Sequence, residues 1–194
     1  MADEDLVLLD RWTAGDQSAG QVLFDRHFKS VYQFFVNKTE GEAEDLAQET
    51  FFQCVKGRET FKRQSSFRTY LFAIARHVLF GYWRKRAPST VQVEEISIAS
   101  LSTSVGTRLV AQEERVRLER ALQRLSLDQQ MLLEMYYWHD ADREMLAGMF
   151  GVEPATIGSR LFRARKALLA QLEASDQAVT DGNLDTWARS LSDD

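Results

Sequence analysis

Apolar residues recur at three- and four-residue spacing through most of the chain, a period that predicts helices rather than strands. From Asp5 to Val36 the pattern breaks once, near Thr13-Ala14-Gly15-Asp16, giving two helices, the second with Val22, Leu23, Val31, Phe34 and Phe35 as core candidates. Glu42 to Val55 and Phe67 to Arg84 read as a third and a fourth, and together these make a first domain, 1–86. Residues 87–109 are rich in Ser, Thr and Val, contain Pro88 and Gly106, and hold no sustained helical stripe. They read as an extended linker, although the alternation of Val91, Val93, Ile96 and Ile98 also fits a strand. Helical periodicity resumes from Leu109 to Leu125, and Ser126-Leu127-Asp128-Gln129 then has the form of a capping box opening a helix over 127–138.

A second domain, 110–173, ends in the most specific local pattern. A helix over Arg143–Phe150 is followed by the turn Gly151-Val152 and a long helix that starts at Pro154, which is helix-turn-helix anatomy. Gly151 permits the left-handed turn, and Pro154 suits a first helical position, where its missing N–H is not needed. Ile157, Leu161, Ala164 and Leu168 form the inward stripe, so Thr156, Ser159, Arg160 and Arg163 point outward, offering hydroxyls and guanidiniums to a major groove. Arg165 and Lys166 read as DNA-backbone contacts or solubility residues. The fold class is therefore all-α: two small helical domains joined by an extended linker, the second containing the helix-turn-helix. The last stretch, 174–194, carries five Asp and reads as a mobile acidic tail; its rival reading is a short amphipathic helix on Leu184, Trp187 and Leu191.

Charge changes this picture because it is sorted by segment. The net charge is -5, yet Lys56 to Arg86 holds nine Lys or Arg against Glu59 alone, while 1–55 holds eleven acids and four bases. Residues 154–173 hold four bases and one acid. Two basic islands in an acidic chain mark a nucleic-acid footprint, but one that binds free DNA weakly, since phosphate neutralisation supplies most non-specific affinity. A partner is expected to bring the chain to DNA. The 194 residues, 44% of them hydrophobic, suffice for two small cores. Cys54 is the single cysteine and His27, His77 and His139 are scattered, so neither a disulfide nor a metal site is expected. No signal-peptide pattern or membrane-spanning run is present, which points to the cytoplasm and away from membrane insertion. His139-Asp140 has no Ser, Cys or metal partner at catalytic spacing, so no catalytic residue, cofactor or enzyme activity is expected.

Two helices of the first domain carry candidate chemistry. Asp45, Gln48, Glu49 and Phe52 share one helix face while Ala47, Phe51, Cys54 and Val55 share the other, and a polar acidic face with one Phe suits docking to a protein. In the next helix Phe67, Tyr70, Phe72, Phe80, Tyr82 and Trp83 are interleaved with Arg68, Arg76, Arg84, Lys85 and Arg86. Aromatic rings stack on unpaired bases while cations follow the phosphates, the recipe for single-stranded DNA. The loop Thr60 to Ser66, with Lys62, Arg63, Ser65 and Ser66, could close over an extruded base.

At this point a family resemblance is specific. EDLAQETFF at 44–52, SSFRTYLFAIARH at 65–77, LDQQMLLEMYYW at 127–138 and GVEPATIGSRLFRARKALL at 151–169 together resemble an extracytoplasmic-function sigma factor of bacterial RNA polymerase. The resemblance implies that the first domain binds the clamp helices of the polymerase's largest subunit, with Asp45, Gln48 and Glu49 at docking positions. It implies minus-ten strand contacts from the Thr60–Ser66 loop, Arg68, Tyr70, Arg76 and Tyr82 onward. It places Ser159, Arg160, Phe162 and Arg163 on the helix that reads the minus-thirty-five duplex, and the linker in the polymerase's active-site cleft and RNA exit path. Partners implied are core RNA polymerase, promoter DNA and, as in most relatives, an anti-sigma protein. His77, Gly81, Gly158 and Arg143 depart from the family pattern, which bears on promoter preference. The rival reading of the residues is a free-standing helix-turn-helix transcriptional regulator, which would bind duplex DNA tightly without polymerase.

Overall fold

A computed structural model describes residues 4–61, 63–86, 97, 113–173 and 183–190. Among them the regular structure is α-helix apart from one 3-10 turn and an isolated bridge between Ser97 and Ser126. Helices α1 (Glu4–Thr13), α2 (Gln17–Val36), α3 (Ala43–Gly57) and α4 (Phe67–Arg84) come first, with the 3-10 turn Arg58–Thr60 after α3. After them come α5 (Glu113–Gln123), α6 (Leu127–Trp138), α7 (Arg143–Phe150), α8 (Pro154–Glu173) and α9 (Leu184–Ser190). Two compact units result: Met1–Tyr82 with Ala147–Gly151, and Trp83–Leu146 with Val152–Asp194. Apart from Ser97, the linker 87–109, with its alternating Val91, Val93, Ile96 and Ile98, lies outside the described residues, as does Lys62.

In the first unit the break between α1 and α2 is made by local chemistry. Gly15 adopts φ +105°, and Asp16 caps α2 by accepting from the Ser18 and Ala19 N–H groups at 3.0 and 3.3 Å. Hydrogen bonds from Ser18, then from Arg11, hold the Asp16 carboxyl down at about 2, so the cap keeps its charge at neutral pH. The helices α1 and α2 approach closely at Gly20, where a Cβ would stand 2.5 Å from the Trp12 indole. A polar tie joins the same pair: buried Asp5 meets His27 Nε2 at 2.6 Å and Arg26 Nη1 at 2.5 Å. Phe34 and Phe35 of α2 are fully buried and Phe34 meets Phe72 of α4 edge-on at 5.7 Å, while Phe24 meets Phe51 of α3 at 4.7 Å. Fully buried Lys38 donates to Phe34 O at 2.6 Å and Asn37 Oδ1 at 3.0 Å and lies 4.7 Å from the Phe34 ring. Its ammonium thus satisfies a carbonyl at the negative end of α2.

In the second unit the capping box forms as read: Ser126 Oγ accepts from Gln129 N–H and Gln129 Oε1 accepts from Ser126 N–H, both at 3.3 Å. Leu127, Met131, Leu133 and Met135 of α6 and Ile157, Ala164, Leu168 and Leu172 of α8 are buried, and α5 closes on them with Leu118 and Leu122. Buried Gln130 donates from Nε2 to buried Glu134 Oε1 at 2.8 Å across one helical turn, while Gln130 Oε1 has no hydrogen-bond partner among the described residues. Arg117 of α5 donates to Leu172 O at 2.8 Å, filling an acceptor in the last turn of α8. Within the acidic tail the described residues are helical. Residues 184–190 form α9, with Leu184 and Ala188 fully buried, because two apolar side chains four residues apart give even a short helix a face to bury.

Replacing Gly20 with Ala tests the α1–α2 contact. Helix propensity alone favours Ala by about 1 kcal/mol, but displacing an indole ring costs about 1–3 kcal/mol. The substitution is expected to lower the melting temperature in thermal circular dichroism of the full chain. A melting temperature at or above wild type would mean that Trp12 is free to move.

Candidate nucleic-acid and partner surfaces

The two faces of α3 separate cleanly. Ala43, Ala47, Phe51 and Cys54 are buried, while Asp45, Gln48 and Phe52 are exposed and Glu49 is half-buried. Glu44 and Asp45 stand in the first turn and Lys56 in the last, so the acidic end complements the positive end of the helix dipole. Phe52 is 52% exposed, and its outer ring face carries the Lys56 ammonium at 4.2 Å from the centroid. Gln53 donates to Glu49 Oε1 at 2.6 Å. Burial pushes the Cys54 thiol up to about 12, which makes it a packing residue and not a nucleophile.

On α4 and the loop before it, the candidate DNA residues divide. Ser66 caps α4, its Oγ accepting from Thr69 N–H at 3.1 Å, and is itself exposed. Exposed Arg63 sits at φ +56° with its guanidinium paired to Asp10 of α1. Half-buried Tyr70 stacks on Phe61 with centroids 4.3 Å apart, and burial raises its phenol above the usual range. Arg68 and Arg76, also half-buried, lie over the Phe72 and Phe80 rings at 5.8 and 4.3 Å. Ser65 is half-buried, and Arg84, Lys85 and Arg86 are exposed at the C-terminal end of α4.

Tyr82 and Trp83 are not on an exposed surface. They are 6% and 1% exposed, and Tyr82 donates to Glu42 Oε2 at 3.0 Å while accepting from Glu40 N–H at 3.3 Å. Their rings therefore serve packing in this structure rather than base stacking. Phe67, Phe72 and Phe80 are buried as well, which leaves Tyr70 as the aromatic of α4 with an accessible ring. The residues that spacing did not single out are Phe61, which supports Tyr70, and Asp10, which holds Arg63. Phe61 falls inside the loop already marked, whereas nothing local in sequence signals a pairing between Asp10 and Arg63.

The helix-turn-helix region follows its sequence pattern closely. Asp142 caps α7 by accepting from Met145 N–H at 2.7 Å, Gly151 takes φ +64°, and Pro154 is the first residue of α8. Ile157, Ala164 and Leu168 are fully buried, and on the other side of α8 Ser159 and Arg163 are exposed and Phe162 is 64% exposed. Thr156 and Arg160 are half-buried at its edge. Ser159 donates to Thr156 O at 2.9 Å and Arg163 to Ser159 O at 3.3 Å, so this polar face lies along its own backbone. A Cβ at Gly158 would meet nothing within 4 Å, so this glycine opens the face without being required by packing. Arg165 belongs elsewhere: two residues past Arg163 it points to the opposite side of the helix and pairs with Asp185 of α9 at 2.9 Å.

No helix among the described residues is long and apolar enough to cross a membrane. The sigma-70 region 2 model matches residues 23–88 and the sigma-70 region 4 model residues 115–168. The chain is 25% identical over 175 residues to the ECF RNA polymerase sigma-E factor of Escherichia coli (strain K12), covering 84% of this chain and 92% of that one. It is 25% identical over 171 residues to the ECF RNA polymerase sigma factor SigX of Bacillus subtilis (strain 168), covering 83% and 87%. Its fold is similar to that of CnrH in complex with the cytosolic domain of CnrY, at a TM-score of 0.67, 21% identity and coverage of 90% of this chain and 100% of that one. It also resembles the sigma factor RpoE from Bartonella quintana in complex with the anti-sigma factor NepR, at a TM-score of 0.61, 23% identity and coverage of 80% and 98%. With regions 2 and 4 matched in order and relatives aligned over most of their length, the chain belongs to the extracytoplasmic-function group of RNA polymerase sigma factors.

Proposed function

We propose a division of labour for this sigma factor, which directs RNA polymerase to promoters and starts transcription without being an enzyme itself. Residues 1–86 form the domain that docks on core polymerase and handles the minus-ten strand, residues 87–109 link, and residues 110–173 read the minus-thirty-five duplex. The work is done in the cytoplasm, where polymerase and chromosome meet.

The observation that carries the upstream assignment is the partition of α8. Ile157, Ala164 and Leu168 are wholly buried while Ser159, Phe162 and Arg163 are exposed, immediately after a turn built by Gly151 and Pro154. Arg160 and Arg163 can take a guanine edge or a phosphate, Thr156 and Ser159 supply hydroxyls, and Phe162 offers an apolar contact to a thymine methyl. In the first domain Asp45, Gln48, Glu49 and Phe52 form the polymerase face. An accessible aromatic on the same helix face as Asp45 and Glu49 gives such a face its anchor and its orientation. For the minus-ten strand, Tyr70 backed by Phe61 is the stacking platform, with Ser65, Ser66, Lys62, Arg63, Arg68, Arg76, Arg84 and Arg86 following the phosphates.

Transcription by purified core polymerase, with transcript starts mapped on fragmented genomic DNA, tests the whole reading: new starts sharing a two-part upstream motif are expected. On such a promoter Arg160→Ala or Arg163→Ala should reduce transcription by roughly tenfold, the size of one lost base or phosphate contact. Equal transcription by both variants would remove the assignment of α8. Asp45→Ala and Phe52→Ala should weaken competition for core polymerase against another sigma factor while leaving the chosen start sites unchanged. Wild-type competition by both would refute the docking face. Tyr70→Leu should slow strand opening, read by permanganate reactivity of unpaired thymines, without altering core binding; unchanged opening would exclude Tyr70 as the platform.

A further inference from the structure

The C-terminal helix makes contacts that a fraying end would not make. Leu184 and Ala188 are fully buried, and the Trp138 indole of α6 donates to Ala188 O at 3.0 Å. The Arg189 guanidinium lies 5.6 and 5.7 Å from the Tyr136 and Tyr137 rings. Most informative is Asp185, whose Oδ1 accepts from the Tyr137 hydroxyl at 2.5 Å and from Arg165 Nη2 at 2.9 Å. One carboxylate oxygen of α9 therefore joins the last turn of α6 to the middle of α8. Burial, and then the bond to Asp185, push the Tyr137 phenol far above its usual range, so Tyr137 remains a donor at any physiological pH.

Asp185 has an exposed side as well. Its side chain is 47% accessible, and a screened ion pair at such a site adds little to stability. Its effect is on angle: with the Tyr137 bond it ties α8 to α6 at Arg165, off the buried stripe, and selects among the small rolls that the stripe permits. Arg165 and the outward residues Ser159, Arg160 and Arg163 ride on the same rigid helix, so holding Arg165 holds them. A helix with its side chains is about 10–12 Å across. A roll of about 20° therefore carries a side-chain tip about 2 Å, enough to lose a hydrogen bond.

We infer that Asp185 is a positioning residue for promoter reading: through Tyr137 and Arg165 it fixes the roll of α8 and so the aim of Ser159, Arg160 and Arg163 at the upstream element. The C-terminal helix is then part of the reading domain rather than an appendage to it. This inference rests on the assignment of the outward face of α8 to the minus-thirty-five duplex, and the experiment separates the two.

The full chain is assayed with core polymerase on a promoter mapped as above and on the same promoter with its upstream element scrambled. The reading is the ratio of the two transcription rates. Asp185→Asn should lower that ratio by roughly fivefold or more, the effect of misaiming a charge-assisted contact, while the rate on the scrambled template and the melting temperature stay close to wild type. Asp185→Glu, which keeps a carboxylate, should recover most of the ratio. Arg160→Ala is run beside them. If Arg160→Ala lowers the ratio and Asp185→Asn does not, or if Asp185→Asn raises it, the positioning role is overturned. A parallel fall on both templates with a lower melting temperature would show a structural role only and overturn it equally. If Arg160→Ala leaves the ratio unchanged, the assignment of α8 fails first and takes the inference with it.

Discussion

A helix that docks or reads can offer only the part of its circumference that its own core leaves free, and this constraint organises both units. In α8 the stripe of Ile157, Leu161, Ala164 and Leu168 fixes one side inward and thereby decides that Ser159, Phe162 and Arg163 face out. In α3 the burial of Ala47, Phe51 and Cys54 does the same for Asp45, Gln48 and Phe52. The small residues on these stripes matter as much as the large ones, because Ala47 and Ala164 let neighbouring helices close in without consuming more of the surface. Exposed Phe52 and Phe162 are then conspicuous: each sits on the polar side of a well-buried helix, where an apolar ring adds little to the core.

Formal charge overstates how strongly the acidic half of the chain opposes DNA. Asp5 is committed to His27 and Arg26, Asp16 to the α2 cap and Arg11, Asp10 to Arg63, and Glu42 to Tyr82. Acids tied down in this way shape the fold, while Glu44 and Asp45 of α3 are exposed. The pairing of Asp10 with Arg63 also means that part of the basic island is answered from within. An anion reaching Arg63 must replace a carboxylate that already holds it, so the pair lowers the affinity of this guanidinium for any phosphate.

How much of this was legible in the sequence follows from how far apart the interacting residues lie. Features settled within one or two turns were readable: the capping box of Ser126 and Gln129, the turn at Gly151, the start at Pro154, and the inward stripe of α8. Tyr82 and Trp83 were misplaced because α4 is apolar around much of its circumference. Phe67, Leu71, Phe72, Ala75, Leu79, Phe80 and Trp83 are all buried, and no spacing rule tells a core ring from a surface ring on such a helix. Glu42, forty residues away, decides the fate of Tyr82. Arg165 was read from its basic neighbours, while its position on the opposite side of α8 and its partner Asp185 are tertiary facts.

The tail shows why composition misled most where it seemed clearest. Five Asp among the last 21 residues argue for solvation, yet a single one of them, placed beside buried Leu184, meets a tyrosine and an arginine already arranged on two other helices. Solvation is a property of the average residue, whereas docking needs only one apolar side of four residues and one acid in register with it. The seven residues of α9 would not hold a helix alone, since nucleation is too costly at that length. Their helicity is therefore supplied by the helices they dock on: Leu184 and Ala188 are buried, the Trp138 indole of α6 bonds Ala188 O, and Asp185 meets Tyr137 of α6 and Arg165 of α8.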